Sequence, residues 1–503
     1  MHHVPTGLPA GVPVIVVTRR TPRSMEDRVS DDRAARAATS AVVTERDRPA
    51  TFREIFAIGE YRAVFLSLLV NWVGDYLARA AITVLVYQQS KSVLLSAAAF
   101  AVSFLPWIIG GTLLSALAER YPYRRVLIAA DLFRMVLIAL LLIPHLPIAA
   151  LLGLLFLASL GTPPTQATRS ALLPLLVGRD RLPIAIATNA TTGQAAQVIG
   201  YLAGAALATA ISPQVALAAD VVTFAVSATL VWSGVRPRPA AIARTERTHL
   251  LREAGEGFRI VFGQETLRAI AVMVFVLTMF AVVPEGLAAA WAAQGHPDAA
   301  TRGLDQGLIM AAAPVGFVVG GVLAGRVLNA AQRDRLIRPL TVLAALALVP
   351  AVVAPPPPAV AVLVVLSGVA QGIVSPTLNS RFVLILPHGY RARAYGVVQT
   401  GMQLSQFAAV MVTGLLADHF WLPLVVGLWS IGGTAAMIAL GARWPSETKF
   451  AAATDSAAAS IASARSGEIA AQQAAEPVRE PEPEPEPRND RTAATTSVTP
   501  ERS

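Results

Sequence analysis

Asp75 is followed four residues later by Arg79, inside a stretch from about 61 to 89 that is otherwise almost free of charge. At i, i+4 on a helix an aspartate and an arginine share one face. Asn71 and Thr83 extend these two into a slowly winding polar stripe. A carboxylate in hydrocarbon costs about 2.5–3.5 kcal/mol, so it belongs beside a cavity or a partner. Two chemistries fit Asp75. It can take up and release a proton, tuned by burial and by Arg79, or it can form a permanent ion pair with Arg79 that fixes helix packing. Glu285 and Asp220 are the other acids within apolar stretches. Glu285 either joins proton transfer or stands at an outer rim in water. Asp220 is expected to be structural.

A second set of charges carries both signs. Glu119, Arg120, Arg124 and Arg125 follow an apolar run, and Asp131 and Arg134 lie just inside the next. Ion pairs among them would latch one face shut and break when it opens. For Arg124 and Arg125 the plainer reading is membrane orientation. Arg169 and Arg381 end two copies of one element, Pro164-Thr165-Gln166-Ala167-Thr168-Arg169 and Pro376-Thr377-Leu378-Asn379-Ser380-Arg381. Both are expected to pair with acids or backbone carbonyls near a gate. Their prolines remove backbone donors and should bend the helices that carry them. Neutral polar side chains complete the inventory: Asn189, Gln194, Gln197, Gln371, Asn379, Gln403 and Gln406. With Phe104, Trp107, Met273, Met279 and Met310 they would give a cavity suited to bulky amphipathic compounds.

These residues sit in a chain of 503 residues with mean hydropathy +0.56 and 15% charged residues, too apolar for a soluble domain. Runs such as 93–117, 184–219 and 340–378 contain almost no charge. A crossing needs about 20 apolar helical residues, so the longest runs must hold two. A β-barrel would show short alternating segments instead of solid blocks. The pattern predicts an all-α polytopic membrane protein. Crossings are expected at about 61–89, 93–118, 126–144, 147–173, 183–210 and 214–234. After a polar stretch they resume at about 268–293, 305–328, 337–354, 359–386, 392–417 and 421–442. The repeated elements recur at nearly one interval, including Pro106 with Gly110-Gly111 and Pro314 with Gly320-Gly321. Twelve helices in two pseudo-symmetric six-helix halves follow, with a substrate path where the halves meet.

Arginine tests the count. Even-numbered connections carry arginine throughout, whereas odd-numbered ones carry only Lys91 and Arg302. That places both termini in the cytoplasm and the chain in the cell membrane. It also explains the +9 net charge without nucleic acid. Residues 1–58 read as a disordered cytoplasmic tail, 59–235 as the first half and 268–445 as the second. The connection 236–267 holds an amphipathic helix, and 446–503 reads as a disordered cytoplasmic tail. No cleavable signal peptide is evident, and Met25 is an alternative start.

Residues 60–445 resemble the major facilitator superfamily, and are most similar to its branch of macrolide-efflux and enterobactin exporters. The likeness rests on an ordered series: Gly74-Asp75, Ser103-Phe104-Leu105-Pro106, Ala118-Glu119-Arg120 through Arg124-Arg125, Asp131-Leu132-Phe133-Arg134, Arg169-Ser170-Ala171-Leu172-Leu173-Pro174, and Asp220 with Phe224. Ser115, Glu119 and Pro122 depart from the family's loop between helices 2 and 3, and Gly325 has lost the acid of its second copy. Gly200-Tyr201-Leu202-Ala203-Gly204-Ala205 lacks the proline of the family's antiporter element.

The resemblance implies the major facilitator fold and alternating access, with helices 1, 4, 5, 7, 8, 10 and 11 around a central cavity. It implies a proton-coupled exporter of bulky amphipathic small molecules. The alternatives are an importer or uniporter of a small metabolite, or a non-transporting sensor or scaffold. Proton coupling is expected at Asp75 and Glu285. The cytoplasmic gate is expected at Glu119, Arg120, Arg124, Arg125, Asp131, Arg134, Arg169 and Arg381. Asn71 and Arg79 join the cavity residues. An enzyme is disfavoured: there is no cysteine, the histidines lie in tails and loops, and no phosphate-cradling loop appears. No metal or cofactor is expected. The partners are a small-molecule substrate, protons and the lipid bilayer, and the chain is expected to be a monomer.

Overall fold

Apolar runs of this length fold as helices because the bilayer offers no partner to backbone N–H and C=O groups. The computed structural model describes residues 51–108, 120–238, 250–295, 298–386 and 390–460, and among these it contains helices and no strand. After a short helix, Phe52–Ala57, the first half comprises α1 (Gly59–Ser90), α2 (Val93–Ile108), α3 (Tyr123–Leu140), α4 (Ile148–Gly178), α5 (179–210) and α6 (Pro213–Gly234). The second half comprises α7 (Glu265–Gly295), α8 (Ala299–Arg326), α9 (Ala330–Val353), α10 (Pro357–Ile385), α11 (Arg391–His419) and α12 (Leu422–Ala442). Among the described residues nine of these, α1, α4 and α6 to α12, are long and apolar enough to cross a membrane. The described part of α2 is shorter, and α3 carries two arginines and the Asp131 and Arg134 pair of charges.

Local chemistry sets the breaks. Lys91 ends α1 in the left-handed region at φ 56°. Gly178, at φ +75°, is the one non-helical residue between Thr162 and Ala210, and it turns α4 into α5. That conformation is open to glycine at little cost. Both copies of the repeated element set a hydroxyl residue directly after the proline, and that hydroxyl bonds back onto its own helix. Each proline withdraws a backbone donor, and the next residue's hydroxyl bonds the carbonyl four back: Thr165 to Gly161, and Thr377 to Ile373 at 2.9 Å. Such back-bonds favour bending.

Within the first half, α1 packs along α5 and α6; within the second, α8 packs along α10. The halves join through α5 against α8 and α2 against α11. One apolar core, including Phe100, Tyr201, Trp291 and Met310, runs through this junction. Two of its polar contacts lie at the end away from the arginine-rich loops. Asp418 at the end of α11 accepts from Val93 N at 2.7 Å, and Gln306 of α8 donates to Ala80 O at 3.0 Å.

The amphipathic helix expected within 236–267 is present, and one boundary differs from expectation. The amphipathic helix forms at Leu250–Gly263 and rests on the second half through buried Val261 and a 2.7 Å pair between Glu256 and Arg393. The chain after 446 is helical as far as 460, where a disordered tail was expected to begin. Phe450 and Ala457 are buried there, so this segment does have apolar surface to cover. The expected tails at 1–50 and 461–503 lie outside the described residues.

Candidate functional site

A cavity of about 420 Å³ lies between the halves, walled by residues of α1 to α8, α10 and α11. Arg79, Phe104, Trp107, Gln194, Gln197, Gln371, Gln403 and Gln406 all line it, as do Asp75 and Glu285. The glutamines lie on α5, α10 and α11, so both halves contribute polar edge to one space.

Asp75 is ion-paired with Arg134 of α3, and not with Arg79. The expected i, i+4 pair does not form because α3 brings a guanidinium to the Asp75 side of α1. Arg79 turns the other way, with its Cζ 5.5 Å from the ring centroids of both Tyr76 and Phe100. It also lies near Tyr201 on α5. Cation–π contacts of this kind stabilise a desolvated guanidinium.

Asp220 is the second correction. It is 1% exposed, lines the cavity, and stands with Asp75 beside Arg134. The expected peripheral placement fails because Gly74 lets α6 come close to α1. A Cβ at position 74 would strike the Asp220 carboxylate and the Thr223 hydroxyl. Thr223 Oγ1 donates to Asp220 Oδ1 at 2.9 Å. Asp75 thus binds the guanidinium at the wall and Asp220 stands nearby without pairing to it, while the face of that guanidinium lies 4.5 Å from the Phe224 ring centroid.

Glu285 faces the cavity instead of an outer rim, and accepts a hydrogen bond from Tyr201 Oη at 3.2 Å. Tyr201 therefore links α5 of the first half to Glu285 of the second, with Arg79 nearby. Nothing in residue spacing pointed to Tyr201, since the link joins different helices.

The six-residue latch does not assemble among the described residues. Arg120 and Arg125 are exposed, Arg124 donates to the Trp232 carbonyl in its own half, and Glu119 lies outside the described residues. Asp131 is fully buried, accepting from Asn71 Nδ2 at 2.9 Å and Ser227 Oγ at 2.6 Å. It ties α3 to α1 and α6. Asn71 is therefore a packing residue behind the wall. Asn189 lines a small separate pocket of about 70 Å³ with Arg169, and Asn379 accepts from Tyr395 Oη at 2.7 Å outside the cavity. Met273 and Met310 are core residues, not lining.

Arg381 pairs with Asp334 and Glu447, each at 3.0 Å, whereas Arg169 has its Nε and Nη2 enclosed with no hydrogen-bond partner. No group of three or more His, Cys, Asp or Glu able to hold a metal occurs among the described residues.

The doubled helical frame and the interfacial cavity agree with comparison to known proteins. The sequence model of the Major Facilitator Superfamily matches residues 64–297 and again 286–479. The chain belongs to the Major Facilitator Superfamily. It is 30% identical over 299 residues to the enterobactin exporter EntS of Citrobacter koseri, covering 56% of this chain and 67% of that relative. Its fold is similar to a mutant form of the nucleoside transporter NupG, with TM-score 0.61, 13% identity, and coverage of 76% of this chain and 99% of that one. A POT family transporter in complex with 5-aminolevulinic acid superposes with TM-score 0.61 at 10% identity, over 78% and 96%. A bacterial homolog of the lysosomal transporter Spinster, inward-facing and unoccupied, gives TM-score 0.54 at 12% identity, over 82% and 99%. This superfamily member is a multi-pass membrane transporter.

Proposed function

We propose that the chain is a secondary transporter of the cell membrane that exports bulky amphipathic small molecules in exchange for protons by alternating access. The observation that carries this reading is the cavity wall at Asp75, Asp220 and Arg134. Asp75 is ion-paired with Arg134 there, and the buried Asp220 carboxylate lines the same wall without an ion pair of its own, which leaves one negative charge for a proton to neutralise. Moving one charge inward across the membrane supplies about 2.3 kcal/mol per 100 mV. Glu285 is the second proton carrier in this reading, because its carboxylate lies in the same cavity and is bound by Tyr201, with Arg79 nearby. Aromatic and glutamine side chains around it suit a substrate with an apolar body and several hydrogen-bonding groups.

Arginine-rich loops support cytoplasmic termini, and the exporter relative supports outward transport. With that orientation, the halves touch at their outer ends and the resting state faces inward. The chain acts as a monomer. Uptake and efflux of a panel of dyes and antibiotics by inverted vesicles, with and without a pH gradient, test the proposal. Gradient-driven accumulation is expected. Movement that ignores the gradient would remove the proton from the mechanism, and no movement of any compound would favour a sensor or scaffold.

A further inference from the structure

The first three N–H groups of α2, at Val93, Leu94 and Leu95, have no partner within their own helix. Ser92 Oγ accepts from Leu95 N at 3.1 Å. The other two are served from the opposite half: Asp418 Oδ1 accepts from Val93 N at 2.7 Å and from Leu94 N at 3.4 Å. Its Oδ2 accepts from Ser92 Oγ at 2.9 Å. An acid at a helix N-terminus also meets the positive end of the helix dipole. Next to this cap, a Cβ at Gly414 would lie 2.7 Å from the Ala97 side chain, so glycine is what brings α11 close enough. A second bond set crosses the same junction. Gln306 Nε2, on a residue 1% exposed, donates to Ala80 O at 3.0 Å and Thr83 Oγ1 at 3.1 Å.

We propose that Asp418 and Gln306 form a polar clamp that holds this end of the transporter shut. Opening this end uncaps α2, because the halves cannot part here while Asp418 of α11 still binds Val93 and Leu94. Asp418 is exposed, so water replaces its bonds as they break. That makes the clamp reversible, a latch between two accessible states. Helix caps of this kind shift an equilibrium roughly 2- to 30-fold. The clamp rests on the alternating-access reading above, and the experiment separates the two.

The chain has no cysteine. Spin labels at Gln89→Cys and Ala300→Cys, both exposed and one on each half, report the distance across this end. The labelled parent is expected to show a short and a long distance by pulsed electron resonance in detergent or nanodiscs. Asp418→Ala should raise the long-to-short ratio roughly 2- to 30-fold. Asp418→Asn keeps the shape and one acceptor oxygen and should raise it less, and Gln306→Leu should raise it on its own. Two distances whose ratio ignores both Asp418 variants overturn the clamp and leave alternating access standing. One unchanging distance in every variant overturns both. Asp418→Asn, with its melting temperature measured alongside, guards against misfolding of the alanine variant.

Discussion

Asp75 on α1 is bound by Arg134 on α3, although Arg79 lies one turn along its own helix. The pair is partly shielded, with the two side chains 20% and 10% exposed. Taking away one partner strands the other charge away from water, a loss of about 3 kcal/mol or more for a buried pair. Asp75→Asn is therefore expected to lower the melting temperature of the detergent-solubilised protein and to abolish gradient-driven transport. Asp75→Asn combined with Arg134→Gln should recover part of the melting temperature, because buried Asp220 also loses a nearby cation, and none of the transport. Equal destabilisation by the single and double variants would show that Arg134 has another anchor.

Asp220 separates proton handling from folding. It is buried against Gly74 and takes a hydrogen bond from Thr223, which the isosteric Asp220→Asn can still make. Arg134 keeps Asp75 in that variant. The expected outcome is a protein that melts near the parent temperature and moves substrate down its own gradient, without response to a pH gradient. Vesicle assays run with and without an imposed gradient read this directly. Retained coupling would return the proton to Asp75 or Glu285 alone.

Tyr201 is expected to matter through its hydroxyl. Tyr201→Phe removes the hydrogen bond to Glu285 while leaving the ring against Tyr76, 5.1 Å away between centroids. A hydrogen bond to a charged group is worth about 1.5–3 kcal/mol, so initial transport rates should fall roughly 10- to 150-fold. Glu285→Gln retains an acceptor for the hydroxyl and should lose coupling more than rate. Comparing initial rates at several pH values distinguishes the two variants, and similar losses in both would argue against a relay.

The frame was legible because its causes are local. Apolar runs, alternating arginine loops and the two Pro-Thr elements each report on the residues that carry them. The cavity glutamines were legible too: Gln194, Gln197, Gln371, Gln403 and Gln406 are costly in lipid and so had to face a common space. Pairings between helices were not. Spacing along α1 offered Arg79 to Asp75, while the real partner sits on α3, and spacing carries no information about which helix lies alongside. Asp220 was assigned away from the cavity because the fold places α6 outside, yet Gly74 admits its carboxylate to the wall. Asp418 reads as an ordinary polar residue at a helix end until α2 is placed against it.

Arg169 and Arg381 end the two copies of one sequence element and should respond unequally to removal. Arg381 is held by Asp334 and Glu447 and lies 4.7 Å from the Phe450 ring centroid. Glu447 is 71% exposed, so its charge contributes little; the buried Phe450 ring carries more of the effect. Burying a side chain of that size is worth about 1.5–3 kcal/mol. Arg381→Ala and truncation after residue 445 are both expected to lower the melting temperature, and by less than the sum when combined, because they disrupt one contact. Arg169 has two enclosed nitrogens without hydrogen-bond partners, an unfavourable state that alanine relieves while also removing a cation that offsets the buried Asp131 carboxylate. Arg169→Ala should therefore melt nearer the parent than Arg381→Ala does. The reverse order, measured on the same purified samples, would mean that the α4 arginine has a partner in the native membrane and that the two halves are braced alike.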